Sequence, residues 1–256
     1  AQMSLADILE PRAAGAYIWG CGVVYAIALA VAFARKRPLT EAVMEAHTAV
    51  IGNTGFLGVP MLVLVLGPEA AATVLLVLVI DLILFSSLLT IIITAAKEGH
   101  ISPRLPGVIG RGLIKNPMVV SMALGLLWSA TGLGLAEPIS ATMALLGAAA
   151  TPGALFAIGA SLTNNRAERL TVAGWLSFAK LVLHPTAVGF GALFIFGVDP
   201  FAAGVLICAA ALPVAGNVYI LAQHYNVAVA RVSAAILIST AISVATLPVV
   251  ISQFTG

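Results

Sequence analysis

Hydrophobic residues run through this chain in long stretches, and its polar positions fall between those stretches instead of alternating along amphipathic faces. A helix needs about 20 apolar residues to cross the hydrocarbon core of a bilayer. Runs of that order lie at 14–34, 42–66, 70–96, 116–134, 138–162, 171–197, 200–223 and 229–252. The pattern predicts eight spans with short connections. One connection is longer: 97–115 holds Lys97, Pro103, Arg104, Pro106, Arg111 and Lys115, and reads as a cytoplasmic linker between two halves. The expected fold class is therefore an all-α polytopic membrane protein, with a first repeat over 1–96, a linker over 97–115 and a second repeat over 116–256.

Two of the runs are interrupted. In the first half Gly52, Asn53, Thr54, Gly55 and Gly58 precede Pro60, and in the second Pro213 precedes Gly216 and Asn217. Lipid offers no hydrogen bonds, so irregular backbone at membrane depth is tolerated only where protein or a water-filled cavity satisfies it. Paired interruptions at corresponding places in two halves point to the binding site of a secondary transporter.

Composition narrows the class. With 61% hydrophobic and 9% charged residues the chain reads as membrane-embedded, and a scattered net charge of +2 gives no nucleic-acid partner. Cys21 and Cys208 sit inside apolar runs, where a free thiol behaves as a small hydrophobe. Arg35, Lys36, Arg37, Lys97, Arg104, Arg111, Lys115, Arg166, Arg169 and Arg231 fall on one side of the bilayer. Asp7, Glu10, Glu69, Glu137 and Asp199 face only Arg12 on the other. The basic side is expected to be cytoplasmic, which sends both ends of this chain outward.

Self-similarity is asymmetric: three spans precede the linker, the second of them broken, and five follow it, the fourth broken. An odd-numbered repeat of five inverts its second copy. Matching the breaks leaves the first half two helices short, and two helices with their connections take about 50 to 70 residues. These are expected before Ala1.

The stretch from Gly52 to Pro60, followed by Leu66 and Gly67, resembles the fourth helix of the auxin efflux carrier family, which includes plant PIN carriers and bacterial malonate-transporter-like proteins. Ala211 to Val218, with Ala222, Tyr225 and Asn226, resembles the ninth. Lys115-Asn116-Pro117 resembles the start of the sixth, and Ala157 to Leu162 the glycine-containing end of the seventh. The resemblance implies ten helices in two inverted repeats of five, with the fourth and ninth crossing at their prolines, of which this chain has 3 + 5. Met118 departs from the pattern, since plant carriers have a second asparagine there.

The substrate-binding candidates are Asn53, Thr54, Pro60, Asn116, Pro213, Gly216 and Asn217. Amide groups at the starts of the resumed helices carry partial positive charge and bind an anion without a buried Lys or Arg. The bland alternative is that Asn53 and Asn217 only satisfy backbone groups freed by the kinks. Ionisable residues at membrane depth are functional candidates by default, which makes Asp81, Lys180 and His184 coupling candidates for H+ or Na+. Against this stand a structural hydrogen bond for Asp81, an Asp81–Lys180 ion pair, and a buried neutral His184 one helical turn from Lys180. Solvation at the cytoplasmic interface accounts for Glu45 and His47. Tryptophans and the tyrosines other than Tyr219 are assigned to anchoring or packing, small-residue patterns to helix packing, and Ser161 is kept as a pocket candidate.

The leading functional expectation is a secondary transporter of a small carboxylate, malonate-like or auxin-like, working by alternating access, with the lipid bilayer and a second copy of the chain as partners. A membrane-embedded enzyme is the rival from another class, but no H-E-x-x-H or G-x-S-x-G pattern is present and no metal or resident cofactor is expected. A channel would show a charge ring or a carbonyl filter. A non-transporting scaffold is the remaining alternative.

Overall fold

The computed structural model describes residues 10–98, 131–146 and 170–254, together with scattered positions between 107 and 128 and at 149. Its named helices among these residues are α1 (Pro11–Ala34), α2 (Leu39–Val50), α3 (Thr54–Leu66), α4 (Ala70–Lys97), α5 (Leu170–Ile195), α6 (Pro200–Ala210), α7 (Gly216–Tyr225) and α8 (Val229–Ser252). Helices α1, α4, α5 and α8 are long and apolar enough to cross a membrane. The expected runs 42–66 and 200–223 are each filled by two half-length helices, α2 with α3 and α6 with α7. The expected spans 116–134 and 138–162 fall largely outside the described residues. Exposed Leu64, Phe194, Ile220 and Val244 give the outside of the bundle an apolar surface, as contact with lipid requires.

Helix starts follow their capping residues. The Glu10 carboxylate accepts from the backbone N–H groups of Arg12 (3.2 Å) and Ala13 (2.5 Å), and Pro11 takes the first helical position, where no N–H is missed. Asp199 and Pro200 repeat the device at α6, with Asp199 accepting from Phe201 (3.0 Å) and Ala202 (3.3 Å).

Helix α1 packs along α2 and along the second half of α5. Gly20 permits the closest approach: a Cβ there would lie 2.5 Å from Val188 Cγ2 and 2.7 Å from Val188 Cα. The first half of α5 lies on α8 and its second half on α6, while α4 runs past α6 with its first half and past α2 with its last. Helices α4 and α5 therefore flank the two broken helices.

The breaks are not both at their prolines. Helix α2 stops at Val50 and α3 resumes at Thr54, so the first break is Ile51-Gly52-Asn53, well ahead of exposed Pro60. Pro60 lacks an N–H to donate, and the chain absorbs the loss in a π turn over Thr54–Gly58 in which Gly58 and Val59 donate to Asn53 and Thr54, five residues back. Gly58 also lets the turn approach α6's end, since a Cβ there would meet Leu212 Cδ1 at 2.6 Å. The second break does contain its proline, Pro213, between Ala210 and Gly216.

Among the described residues three further π turns occur in the flanking helices, one at the end of α5 (Gly191–Ile195) and two within them, at Ile80–Phe85 in α4 and Ala179–Leu183 in α5. The inner α5 turn precedes Pro185, whose missing N–H accounts for it. In α4 the Asp81 carbonyl accepts both the Ser86 N–H and the Ser86 hydroxyl, the latter at 2.9 Å. The two inner turns carry Asp81 and Lys180.

Candidate functional site

The two breaks meet. Asn53 N–H donates to Pro213 O (2.8 Å) and Ala215 N–H to Ile51 O (3.1 Å), pairing Gly52 with Val214 as a single antiparallel bridge. Proline lacks a donor but keeps its acceptor, so Pro213 ends one helix while its carbonyl fastens the other. Each break thus satisfies peptide groups of the other, which is what bilayer depth demands of irregular backbone.

A cavity of about 10 Å³, room for one water, opens on one side of this bridge. Its lining comes from the first break (Ile51, Gly52, Asn53), the first turn of α3 (Gly55, Phe56), the middle of α4 (Leu78, and Asp81 and Leu82 of its π turn) and the start of α7 (Ala215, Gly216, Asn217). Asn53, Asp81, Gly216 and Asn217 are thereby brought together. Asp81 is 2% exposed, and its Oδ1 accepts from the Tyr17 hydroxyl at 2.8 Å. Its Oδ2 and the Asn217 Oδ1 make no hydrogen bond among the described residues.

Lys180 lies behind the bridge. A Cβ on Gly52 would sit 3.4 Å from Lys180 Nζ and from the Ala209 carbonyl oxygen, so glycine leaves room for both. The fully buried ammonium donates to Ala210 O at 2.5 Å and stands 3.1 Å from His184 Nδ1. It caps the carbonyl end of α6, where the helix dipole favours a cation. His184 Nδ1 is 3.3 Å from the same carbonyl oxygen and its Nε2 is 3.1 Å from Cys21 Sγ. The Tyr17 and His184 rings meet edge-on at 5.6 Å.

The expected Asp81–Lys180 ion pair does not form, because each group turns to a nearer partner: Asp81 to Tyr17, Lys180 to Ala210 and His184. Thr54 is buried but turned to its own backbone, its hydroxyl 3.5 Å from Gly52 O, and lies outside the cavity lining, as does Pro60. Pro213 belongs to the bridge. Asn116 and Ser161 lie outside the described residues.

Two expectations from the cytoplasmic side are corrected. Glu45 and His47 are not solvated at an interface; both are fully buried. Glu45 Oε1 accepts from Arg231 Nη1 at 2.5 Å, and its other oxygen pairs with Arg35. Arg231 also reaches Glu41 at 2.6 Å, which ties α8 to α2 and the end of α1. Tyr17 and Cys21, assigned to packing, are fully buried parts of the polar cluster. Their spacing of four puts them on one helical face, and that pair of polar side chains in an apolar span was the available signal. Among the described residues no group of three or more His, Cys, Asp or Glu could hold a metal ion.

A family model described as "Membrane transport protein" matches residues 2–251. A protein of Rhizobium meliloti (strain 1021) described as "Putative malonate transporter" is 32% identical over 228 residues, covering 88% of this chain and 71% of that protein.

Proposed function

The chain belongs to the membrane transport protein family, the auxin efflux carrier family its broken-helix motifs resemble, and from that premise we propose that it carries a small organic anion, a mono- or dicarboxylate of malonate type, by alternating access. The observation that supports this reading is the juxtaposition of Asn53, Gly216 and Asn217 around one cavity at the meeting of the two breaks. The starts of α3 and α7 contribute amide groups with partial positive charge, and the two asparagine side chains supply further donors. Binding there orients a carboxylate without a contacting Lys or Arg.

At about 10 Å³ the cavity is too small for malonate. Substrate enters when the helices around the crossing part on one side, and leaves when they part on the other, with Asn53 and Asn217 near the pivot. The ten-helix inverted repeat, the cytoplasmic placement of the basic connections in a bacterial inner membrane, and a homodimer belong to this reading. The malonate-transporter description of the Rhizobium meliloti relative guides the choice of first substrate.

Counterflow of radiolabelled malonate into proteoliposomes tests it, with unlabelled carboxylates as competitors. Saturable exchange is expected, and Asn53→Ala lowers it at least about tenfold, the equivalent of 1.4 kcal/mol, with the yield of folded protein unchanged. Undiminished exchange by Asn53→Ala removes the crossing from the transport path. No exchange of any carboxylate overturns the substrate class.

A further inference from the structure

Asp81 poses a problem for an anion site. Its carboxylate lines the same cavity as the starts of α3 and α7, and its counter-charge is not in contact with it, since Lys180 is engaged by Ala210 and His184. At an effective dielectric constant near 20, two like unit charges about 4 Å apart weaken binding about a thousandfold. A substrate carboxylate beside ionised Asp81 is therefore held poorly until that charge is neutralised.

The oxygen inventory selects the neutralising species. Hard metal cations take about six or more oxygens. Here the Ile51 carbonyl accepts from Ala215, Gly52 from Thr54, Asn53 from Leu57 and Gly58, and Ala215 from Val218. Only Asp81 Oδ2 and Asn217 Oδ1 in this wall are buried side-chain oxygens without a hydrogen bond. The residues that line this water-sized space thus offer two unbonded side-chain oxygens, fewer than the roughly six or more that a hard cation takes. The two oxygens match a single proton, which turns one acceptor into a donor for the other.

We propose, on the reading of the crossing as a carboxylate site, that Asp81 is the proton-coupling group: substrate binds only when Asp81 carries a proton, its Oδ2–H directed across the cavity to Asn217 Oδ1. Asp81 takes the proton from water on the side to which the site is open and releases it to water on the other. One O–H bond forms and one breaks per transport cycle, and no electron moves. Tyr17, Cys21 and Tyr25 of α1, Glu45 and His47 of α2, Lys180 and His184 of α5 and Cys208 of α6 are buried titratable groups on the elements around the crossing. Of these Tyr17 alone hydrogen-bonds the carboxylate, through Oδ1, which leaves Oδ2 to bear the proton.

Proteoliposomes containing the full chain, an internal pH dye and radiolabelled malonate supply the transport arm. Wild type accumulates malonate when the outside is acidic and acidifies the lumen as it does so. Asp81→Asn, a fixed neutral side chain, loses pH-driven accumulation, and any malonate uptake it supports proceeds without acidifying the lumen. Accumulation by Asp81→Asn, or malonate uptake by wild type with no proton movement, overturns the proposal. A second arm needs no substrate and so separates this proposal from the choice of carboxylate. Infrared spectra of the detergent-solubilised chain at the acidic pH that drives accumulation should show a protonated carboxyl C=O band that disappears in Asp81→Asn and shifts in Asn217→Ala. Absence of that band at that pH overturns the assignment even if malonate is carried.

Discussion

Two π turns flank the crossing, one in α4 carrying Asp81 and one in α5 carrying Lys180, and their surroundings differ in kind. The lysine side is engaged at full burial: the ammonium caps Ala210 at the end of α6 and meets His184, which in turn reaches Cys21. The aspartate side is half satisfied, with Tyr17 on one oxygen and no hydrogen bond on the other, in a residue that lines a cavity. The same backbone device thus holds a fixed charge on one side and an adjustable one on the other. A saturated buried charge pins the fold, whereas an unsaturated one is kept for a partner that comes and goes.

The largest expected effect comes from removing the pin. Lys180→Met takes away the cap of α6 and leaves Asp81 without a balancing charge nearby; breaking a buried charge arrangement costs about 3 kcal/mol. Asp81→Asn keeps an acceptor for Tyr17 and is expected to cost about 1 kcal/mol or less. Thermal melts of the two variants in detergent measure the difference, and equal losses would dissolve the comparison. The double variant sharpens it: with both charges gone, the combined loss falls below the sum of the single losses if the two groups balance one another electrostatically.

A smaller effect is expected from α1, the helix that serves both sides through Tyr17 and Cys21. Gly20→Ala places a methyl 2.7 Å from Val188 Cα, forcing α1 away from α5 at about 2 kcal/mol, in the range of overpacked cores. The Cys21–His184 contact opens first, because Gly20 adjoins Cys21. Increased labelling of Cys21 by a small thiol reagent, alongside a lowered melting temperature, reads this out. A variant that melts lower with Cys21 still protected would place the strain elsewhere.

The sequence made the helical, membrane-embedded class and the two interruptions legible, because apolar run length and Gly/Pro/Asn clusters act locally. It misplaced the first interruption. Pro60 looks like the breaker, but a π turn accommodates it, and the stretch that parts the helix is Ile51-Gly52-Asn53, where the Ile51 carbonyl accepts from Ala215 and the Asn53 N–H donates to Pro213, more than 150 residues away. Partner choice was illegible for the same reason. Asp81 and Lys180 read as a natural ion pair, yet Tyr17 and Ala210 lie nearer to them, and no residue spacing encodes which helix becomes a neighbour. Glu45 read as an interfacial residue near a helix mouth until Arg231, at the start of the last helix, was found against it. Asn53, Asp81 and Asn217 each stand out in the sequence by residue type and depth; that they share one cavity is a tertiary fact.

The smallest expected effect on stability is the most informative about the adjustable side. Tyr17→Phe keeps the ring against His184 and deletes only the hydroxyl that donates to Asp81 Oδ1. Hydrogen bonds between membrane helices are worth about 0.6 kcal/mol on average and up to about 1.7, so the melting temperature should barely move. The transport consequence is larger than the structural one. The hydroxyl favours the ionised carboxylate by donating to it, and without it the protonated form gains ground. Malonate accumulation should then persist into more alkaline medium than in wild type. A pH profile shifted to higher pH at unchanged stability separates coupling from folding at this residue. An unshifted profile with the same small loss of stability would return Tyr17 to packing and leave Asp81 as indifferent to its neighbours as Lys180 is expected to be dependent on them.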